Sequence, residues 1–206
     1  MCARDAVAGV LDAATTAGWG DAMTMAEQKT YELQTPHLRL RALSLSEARL
    51  AMGRRRAALG RQVSAHISTA WPSPDLINSL PTIIAEMERQ VGDERWVWLV
   101  IEQASERVVG DIGFHGPVVG MASVELGWQI VPASQGRGYA TEAAAALLRW
   151  AAARPGVQRV IARIEPANSP SLRVAAKLGM REVASSEPRY RRFEWLVDGA
   201  SSDQAD

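Results

Sequence analysis

Apolar positions along the chain recur with two different periods, and their alternation predicts a mixed α/β protein. Positions 124–131 are almost wholly apolar and end at Pro132, which is typical of a mostly buried strand. Alanines and leucines at 140–153 then repeat at helical spacing. A second apolar run at 157–164 and a helical pattern at 172–180 continue this strand–helix–strand–helix order.

The preceding part of the chain predicts one strand and two helical regions. Apolar and polar residues alternate at 38–42, as in a half-buried strand. A helix is predicted from Ser46, as its cap, to about residue 59. A second helical stretch is predicted at 75–90 with Asp75 as its cap, and Pro81 either kinks it or opens another helix.

Further strands are predicted in pairs. Apolar runs at 96–102 and 107–114 surround a short polar turn and predict a hairpin. A loop at 115–122 leads to the strand at 124–131. Near the end of the chain, 181–184 and 191–197 predict a last antiparallel pair.

A glycine-rich turn joins the strand at 124–131 to the alanine-rich helix, and it reads Gln135-Gly136-Arg137-Gly138-Tyr139-Ala140. Such a turn leaves backbone N–H groups free at the positive end of a helix dipole, and glycines let a ligand approach the backbone closely. The turn therefore predicts a phosphate site. It lacks the Gly-Lys-Ser/Thr of a P-loop and the three spaced glycines of a dinucleotide fold.

Together with two neighbouring motifs, this turn resembles a known superfamily. The second motif is Asn168 and Ser171 followed by Lys177-Leu178-Gly179-Met180, and the third is Glu125-Leu126-Gly127-Trp128. From about residue 35 to 197 the chain is similar to the GNAT N-acetyltransferase superfamily. The similarity is greatest to the branch with ribosomal-protein N-terminal acetyltransferases. Met180 departs from the pattern, because it replaces the usual aromatic residue.

The resemblance implies a fold and a domain division. The fold class is α/β (α+β), with a mixed, mostly antiparallel central sheet that is splayed at the acyl-CoA site and flanked by helices. The acetyltransferase domain is expected at 33–198. Residues 1–32 are expected to form a flexible extension, and 199–206 a polar tail, because neither carries a periodic apolar pattern.

The resemblance also implies acetyl-CoA as the acyl-donor cosubstrate. Backbone N–H groups of the glycine-rich turn would face its pyrophosphate, with Arg137 as a counter-charge. A backbone N–H at the end of the strand at 124–131 would polarise the thioester carbonyl of acetyl-CoA. The alternative is a plain strand–helix turn with a solvated arginine. The predicted CoA-binding residues are Ile130, Val131, Gln135, Gly136, Arg137, Gly138, Tyr139, Ala140, Thr141, Asn168 and Ser171.

Three residues are predicted to serve the chemistry. Glu125 interrupts an apolar run and is the leading general base, although an edge carboxylate paired with an arginine is the alternative. His115 is the rival base, because imidazole is the side chain that ordinarily exchanges protons near neutral pH. Many relatives have a tyrosine near the start of the helix at 172–180 that serves as the general acid. Ser171 is the nearest hydroxyl to that position. Asn168 and Ser171 also fit simple helix capping.

The composition of the chain limits the kinds of binding partner and the cellular location that we expect. The chain has 23 basic and 23 acidic side chains, so no electrostatic attraction to nucleic acid is expected. No apolar run approaches the roughly eighteen residues of a membrane span, and no signal peptide is evident. The lone Cys2 excludes an internal disulfide and fits a reducing compartment, so a cytoplasmic location is expected. No metal site is predicted.

The sequence thus predicts an acetyl-CoA-dependent N-acetyltransferase that acts by direct attack in a ternary complex. The acceptor would be a primary amine, either a protein N-terminus or a small molecule. A homodimer is a candidate assembly. The alternative is a non-catalytic module that binds or senses acyl-CoA.

Overall fold

The computed structural model describes residues 31–89 and 97–197. The predicted extension, apart from its last two residues, and the predicted polar tail lie outside these ranges. The described chain forms helices around a nine-stranded sheet. In chain order the elements are β1 (Glu32–Gln34), β2 (Leu38–Ala42), α1 (Leu45–Met52), α2 (Arg56–Val63), β3 (His66–Ile67), α3 (Pro74–Arg89), β4 (Val97–Glu102), β5 (Arg107–Phe114), β6 (Ser123–Ile130), α4 (Tyr139–Ala152), β7 (Arg159–Ile164), α5 (Ser169–Lys177), β8 (Arg181–Val183) and β9 (Arg191–Leu196).

The sheet has the order β1-β2-β4-β5-β6-β7-β9-β8, with β3 paired to β5. Most neighbours are antiparallel, whereas β6–β7 and β3–β5 are parallel. The β6–β7 ladder spans only Ser123 to Glu125 against Arg159 to Ile161. Since β6 continues to Ile130 without this partner, the two strands separate beyond the ladder. The predicted mixed, splayed sheet is confirmed.

Helices cover both faces of the sheet, because alternate strand residues are apolar on each side. On β4, Trp98 and Val100 join the core under α4, whereas Leu99 and Ile101 join the core under α1, α2 and α3. On β7, Val160 joins the α4 core and Ala162 packs with α5, so α4 and α5 share one face. We call the opposite face, covered by α1, α2 and α3, the α3 face.

The helix predicted at 46–59 is in fact two helices, and its predicted cap was wrong. Ser44 caps α1 by accepting a hydrogen bond from the Glu47 N–H, while the Glu47 carboxylate accepts one from the Ser44 N–H. This capping box was present in the sequence as Ser44-x-x-Glu47. Gly53 ends α1, and Arg54 with φ of +52° turns the chain before α2.

The helical stretch predicted at 75–90 is a single helix, α3, and Pro81 lies inside it. Its first turn is held by Ser73, whose hydroxyl accepts a hydrogen bond of 3.1 Å from the Leu76 N–H. Asp75 is therefore a first-turn residue, not the cap. Its carboxylate still favours the helix, because it lies near the positive end of the dipole.

Two short strands were not predicted. β1 pairs antiparallel with β2, with Glu32 opposite Arg41, so the sheet begins one residue before the predicted boundary at 33. β3 pairs with the start of β5. With two or three residues each, these strands are too short for a period of two to be visible in the sequence. The other predicted strands are confirmed to within about two residues at each end.

Candidate functional site

The separation of β6 from β7 opens a cleft of about 530 Å³. The end of β6, the start of α4 and one side of α5 form its walls, and α3 contributes Asp75. Trp128 and Ile130 lie on the α4 side of the sheet, whereas Gln129 lies on the α3 face, so the cleft passes through the sheet. This passage gives one ligand access to both faces.

Most of the predicted CoA-binding residues come together here. Val131 and Arg137 do not line the cleft, and neither do the predicted bases Glu125 and His115. The predicted residues that do line it are Ile130, Gln135, Gly136, Gly138, Tyr139, Ala140, Thr141, Asn168 and Ser171.

The glycine-rich turn leaves the first turn of α4 uncapped by any side chain. Gly138 is the N-cap residue with φ of +86°, and Gly136 has φ of +78°. A Cβ added to either glycine would meet no heavy atom within 4 Å. Because the first N–H groups of a helix have no intrahelical acceptor, this turn presents donors to open space. The arrangement fits a bound phosphate.

The hydrogen bonds between β5 and β6 show which backbone N–H at the end of β6 could donate to a bound thioester carbonyl. The His115 N–H donates to the Glu125 oxygen and the Val131 N–H to the Val109 oxygen, each at 2.9 Å. Because partners alternate in an antiparallel ladder, the N–H of Ile130 points away from β5, into the splay. Ile130 can thus offer a donor to a carbonyl, whereas the N–H of Val131 already has an acceptor.

Arg137 does not face the cleft. Its Nη1 lies 3.3 Å from Glu102 Oε1 at the end of β4, and the Tyr139 hydroxyl donates to the same oxygen. Hydrogen bonds from Ser105 and Tyr139, with the Arg137 charge, lower the pKa of Glu102. Arg137 therefore pairs with the end of β4 in this structure, and its role as a phosphate counter-charge stays a prediction.

Two other cations line the cleft, and sequence reasoning missed both. Arg173 and Lys177 lie one turn apart on α5 and are exposed at the cleft wall. The i, i+4 spacing was visible in the sequence. Only the packing of α5 beside the splay shows that their shared face meets the predicted phosphate site.

Asn168 and Ser171 combine the two predicted interpretations. The Asn168 Oδ1 accepts a hydrogen bond of 3.1 Å from the Ser171 N–H, which caps α5. Both residues also line the cleft. Since the cap uses only the side-chain oxygen, the amide nitrogen of Asn168 can donate to a ligand.

The two predicted bases contact each other at the β6–β7 ladder. Glu125 Oε1 lies 3.3 Å from His115 Nδ1, and its Oε2 lies 2.8 Å from Arg163 Nη2. Burial alone would raise the pKa of Glu125, but hydrogen bonds and attraction from His115 and Arg163 lower it. Arg163 also pairs with Glu187 at 2.5 Å. The arginine pairing considered as an alternative for Glu125 is thus present.

Asp111 is a carboxylate near the splay that was not predicted as a site residue. Asp111 lies on β5 directly opposite Gln129, and its Oδ2 accepts a hydrogen bond of 2.8 Å from Trp71 Nε1. Burial raises the pKa of Asp111 to about 7, against the lowering effect of the Trp71 hydrogen bond. The signal in the sequence was one acidic residue within the predicted strand at 107–114.

Glu142 fixes the direction in which α4 starts. Its Oε1 accepts hydrogen bonds from the Thr35 hydroxyl at 2.6 Å and from the His37 N–H at 2.8 Å. Burial would raise the pKa of Glu142, yet these bonds and the His37 side chain lower it. The uncapped end of α4 is thereby tied to the turn between β1 and β2.

Two kinds of feature are absent from the described ranges, 31–89 and 97–197. They contain no group of three or more His, Cys, Asp or Glu side chains placed to hold a metal ion. None of their helices has the length and apolar character needed to cross a membrane.

Comparison with known proteins agrees with this architecture. The family model of the acetyltransferase (GNAT) domain matches residues 37–181, which is more than half of the chain. An uncharacterised N-acetyltransferase of Bacillus subtilis (strain 168), YjdG, is 26% identical over 148 residues, covering 71% of this chain and 88% of that protein.

Solved structures share the fold. A ribosomal-protein-S5-alanine acetyltransferase from Vibrio fischeri has a TM-score of 0.56 at 15% identity, covering 83% of this chain and 99% of that one. RimJ of Mycobacterium smegmatis, solved with CoA-disulfide, has a TM-score of 0.52 at 20% identity, covering 81% and 86% of the two chains. At these identities the likeness concerns the fold alone.

Proposed function

Since the chain belongs to the acetyltransferase (GNAT) domain family, we propose that it transfers the acetyl group of acetyl-CoA to a primary amine. The observation that carries this proposal is the cleft through the splayed sheet, with the uncapped start of α4 at its wall. A thioester held there can meet an amine that arrives from the α3 face.

Each part of acetyl-CoA has matching chemistry in the cleft. Phosphates suit the uncapped N–H groups after Gly138, and Arg173 and Lys177 add positive charge. The pantetheine arm, which carries amide groups, suits the unpaired edge of β6 and the side-chain nitrogen of Asn168. The thioester carbonyl would accept a hydrogen bond from the Ile130 N–H. That bond strengthens as negative charge develops on the oxygen.

Direct attack within a ternary complex is the proposed mechanism. The acceptor amine, once deprotonated, attacks the thioester carbon, and CoA leaves as its thiolate. Glu125 remains a predicted base. Because its lowered pKa keeps it ionised and paired with Arg163, it would draw the proton through water. Ser171 lines the cleft and remains the predicted relay that returns a proton to the thiolate.

Thiol release tests the proposal. The full chain is incubated with acetyl-CoA and a panel of primary amines and peptides, including one that begins with alanine, the residue named for the Vibrio fischeri structure. CoA thiol that appears only with an acceptor, together with an acetylated acceptor by mass spectrometry, is the expected result. Absence of acetyl-CoA binding by calorimetry would overturn the assignment.

The second candidate is a module that binds or senses acyl-CoA without catalysis. The pairing of Glu125 with Arg163 and His115 favours it, since a neutralised carboxylate is a weak base. Tight acetyl-CoA binding without thiol release toward any acceptor would support this candidate.

A cytoplasmic location and a homodimer stay predictions. Cell fractionation would test the location, and analytical sedimentation would test the oligomeric state.

A further inference from the structure

We propose that Asp111, in place of the base predicted from the sequence, Glu125, is the group that takes the proton from the acceptor amine, on the α3 face of the splay beside Gln129. This inference rests on the proposed acetyl transfer. It assigns a role to a side chain that neither the sequence motifs nor the cleft lining singled out.

Position is the first argument. Asp111 pairs with Gln129, which lines the cleft, and Gln129 adjoins Ile130, whose N–H points into the splay. Directly paired residues of this kind have Cα atoms about 5.5 Å apart. Glu125 lies four residues farther along β6, or about 13 Å at the usual strand rise. Asp111 is thus nearer than Glu125 to the expected thioester.

Orientation is the second argument. Ile112 and Phe114 belong to the core under α4, so Asp111, which alternates with them on β5, faces the opposite side. Trp71 is 1% exposed in the α3-face core, and its ring N–H fixes the carboxylate there. The amine is expected to enter from this side, because the start of α4 and α5 occupy the other side.

Proton affinity is the third argument. A general base works best when its pKa lies near the working pH, and burial raises that of Asp111 to about 7. Hydrogen bonds to His115 and Arg163 move Glu125 in the opposite direction. In many active sites, two titratable groups whose pKa values are displaced in opposite directions have different roles in acid–base catalysis.

The surroundings of Asp111 contain few other charges. Its opposite neighbour on β4 is the buried apolar Leu99. Glu125 and His115 lie farther along the same face, and Asp75 lies in the first turn of α3. The Arg56 guanidinium donates to the Trp71 carbonyl oxygen. Burial raises the pKa of Asp111 and the Trp71 hydrogen bond offsets part of that rise, so a change in Trp71 should move the pKa.

The proposed step balances as follows. One proton of the ammonium group passes to the Asp111 carboxylate and leaves a neutral amine. The nitrogen lone pair forms the C–N bond, the C–S bond breaks, and the CoA thiolate departs with the electron pair. A second proton from nitrogen reaches the thiolate, and Asp111 returns its proton to solvent. The products are the amide, CoA thiol and one released proton.

The test measures kcat and kcat/KM against pH from 5 to 9 at saturating acetyl-CoA, with an acceptor found by thiol release. Wild-type activity should decrease as the pH falls below about 7, and we call this decrease the acidic limb of the profile. Asp111→Asn keeps the shape of the side chain and an acceptor for the Trp71 N–H. Its kcat should be lower by about 100-fold or more, and its profile should have no acidic limb. Calorimetry should show unchanged acetyl-CoA affinity, and circular dichroism an unchanged fold.

Two further variants separate a chemical role from a structural one. Trp71→Phe removes the donor that lowers the pKa of Asp111, so the acidic limb should move to higher pH. Glu125→Gln should keep the limb near 7. A limb retained in Asp111→Asn, unmoved in Trp71→Phe or lost only in Glu125→Gln would overturn the assignment.

The wild-type arm distinguishes this inference from the proposed function. Absence of thiol release by the wild type overturns both proposals. An active wild type with a fully active, folded Asp111→Asn variant overturns the Asp111 role alone and leaves acetyl transfer standing.

Discussion

The side-chain nitrogen of Gln135 donates a hydrogen bond of 2.9 Å to the backbone oxygen of Ile130. The bond joins the start of the glycine-rich turn to the end of β6. The turn, expected to hold phosphate, and the strand, expected to hold the thioester, are therefore fixed relative to each other. A displacement of either would cost catalysis, since reaction rates depend steeply on the placement of the reacting atoms.

The glycine-rich turn is tested by Gly138→Asp. The new carboxylate would lie where phosphate approaches the start of α4, so acetyl-CoA affinity should fall at least about tenfold by calorimetry. Gly120→Asp is the matched control, because Gly120 also has a positive φ, of +78°, and open space around a Cβ but lies outside the cleft. Equal affinities in the two folded variants would refute the assignment of the turn.

The two cations of α5 are tested by removing them together. Arg173→Ala with Lys177→Ala should weaken acetyl-CoA binding about tenfold at low salt, and added salt should shrink the difference by screening. Acetyl-pantetheine, which lacks the phosphates, should bind both proteins equally. Arg149→Ala, on the exposed side of α4, is the control. A loss of equal size for acetyl-pantetheine would show that the cations do not serve the phosphates.

Two substitutions of Asn168 separate capping from ligand binding. Asn168→Asp keeps an oxygen that caps α5 but removes the amide donor, so thermal stability should be retained while acetyl-CoA affinity falls. Asn168→Ala should lower both, with a loss of about 1 kcal/mol in the free energy of unfolding. Full affinity in Asn168→Asp would leave capping as the role of this residue.

Asp111 should make the stability of the protein depend on pH. Its folded pKa of about 7 lies above the ordinary 3.8, so the folded state holds the proton more tightly. Its contribution to stability is complete below pH 3.8 and is lost as pH rises through 7, by at most about 1.4 kcal/mol per pH unit. Urea unfolding between pH 5 and 8 should show this decline in the wild type and a smaller one in Asp111→Asn. Parallel curves for the two proteins would contradict the raised pKa.

The predicted extension is tested by deletion. Residues 1–30 carry no periodic apolar pattern, so their removal should leave the melting temperature and acetyl-CoA affinity nearly unchanged. Deletion of 1–34 is the control, because it also removes β1 and its pairing with β2, and it should lower the melting temperature. An equal loss from the shorter deletion would place residues 1–30 in the working domain.

The sequence by itself determined the features that depend on local order. The period of apolar residues predicted most strands, and the glycines of the turn predicted an uncapped helix start, because backbone conformation follows from neighbouring residues. Asn168 and Ser171 line the cleft, where the family resemblance located them, and their binding of CoA stays a prediction. Local signals also existed where prediction failed, as in the capping box of Ser44 and Glu47.

Only the tertiary structure decided which distant side chains meet. The sequence left two alternatives for Arg137, contact with a phosphate or with solvent, and in the structure its side chain pairs with Glu102. Trp71 and Asp111 are 40 positions apart, and strand register together with the packing of the chain before α3 brings them to 2.8 Å. Burial, which displaces the pKa of Asp111, is a property of the assembled core. No local pattern carries it, because the water that a side chain loses is displaced by residues far away in the chain.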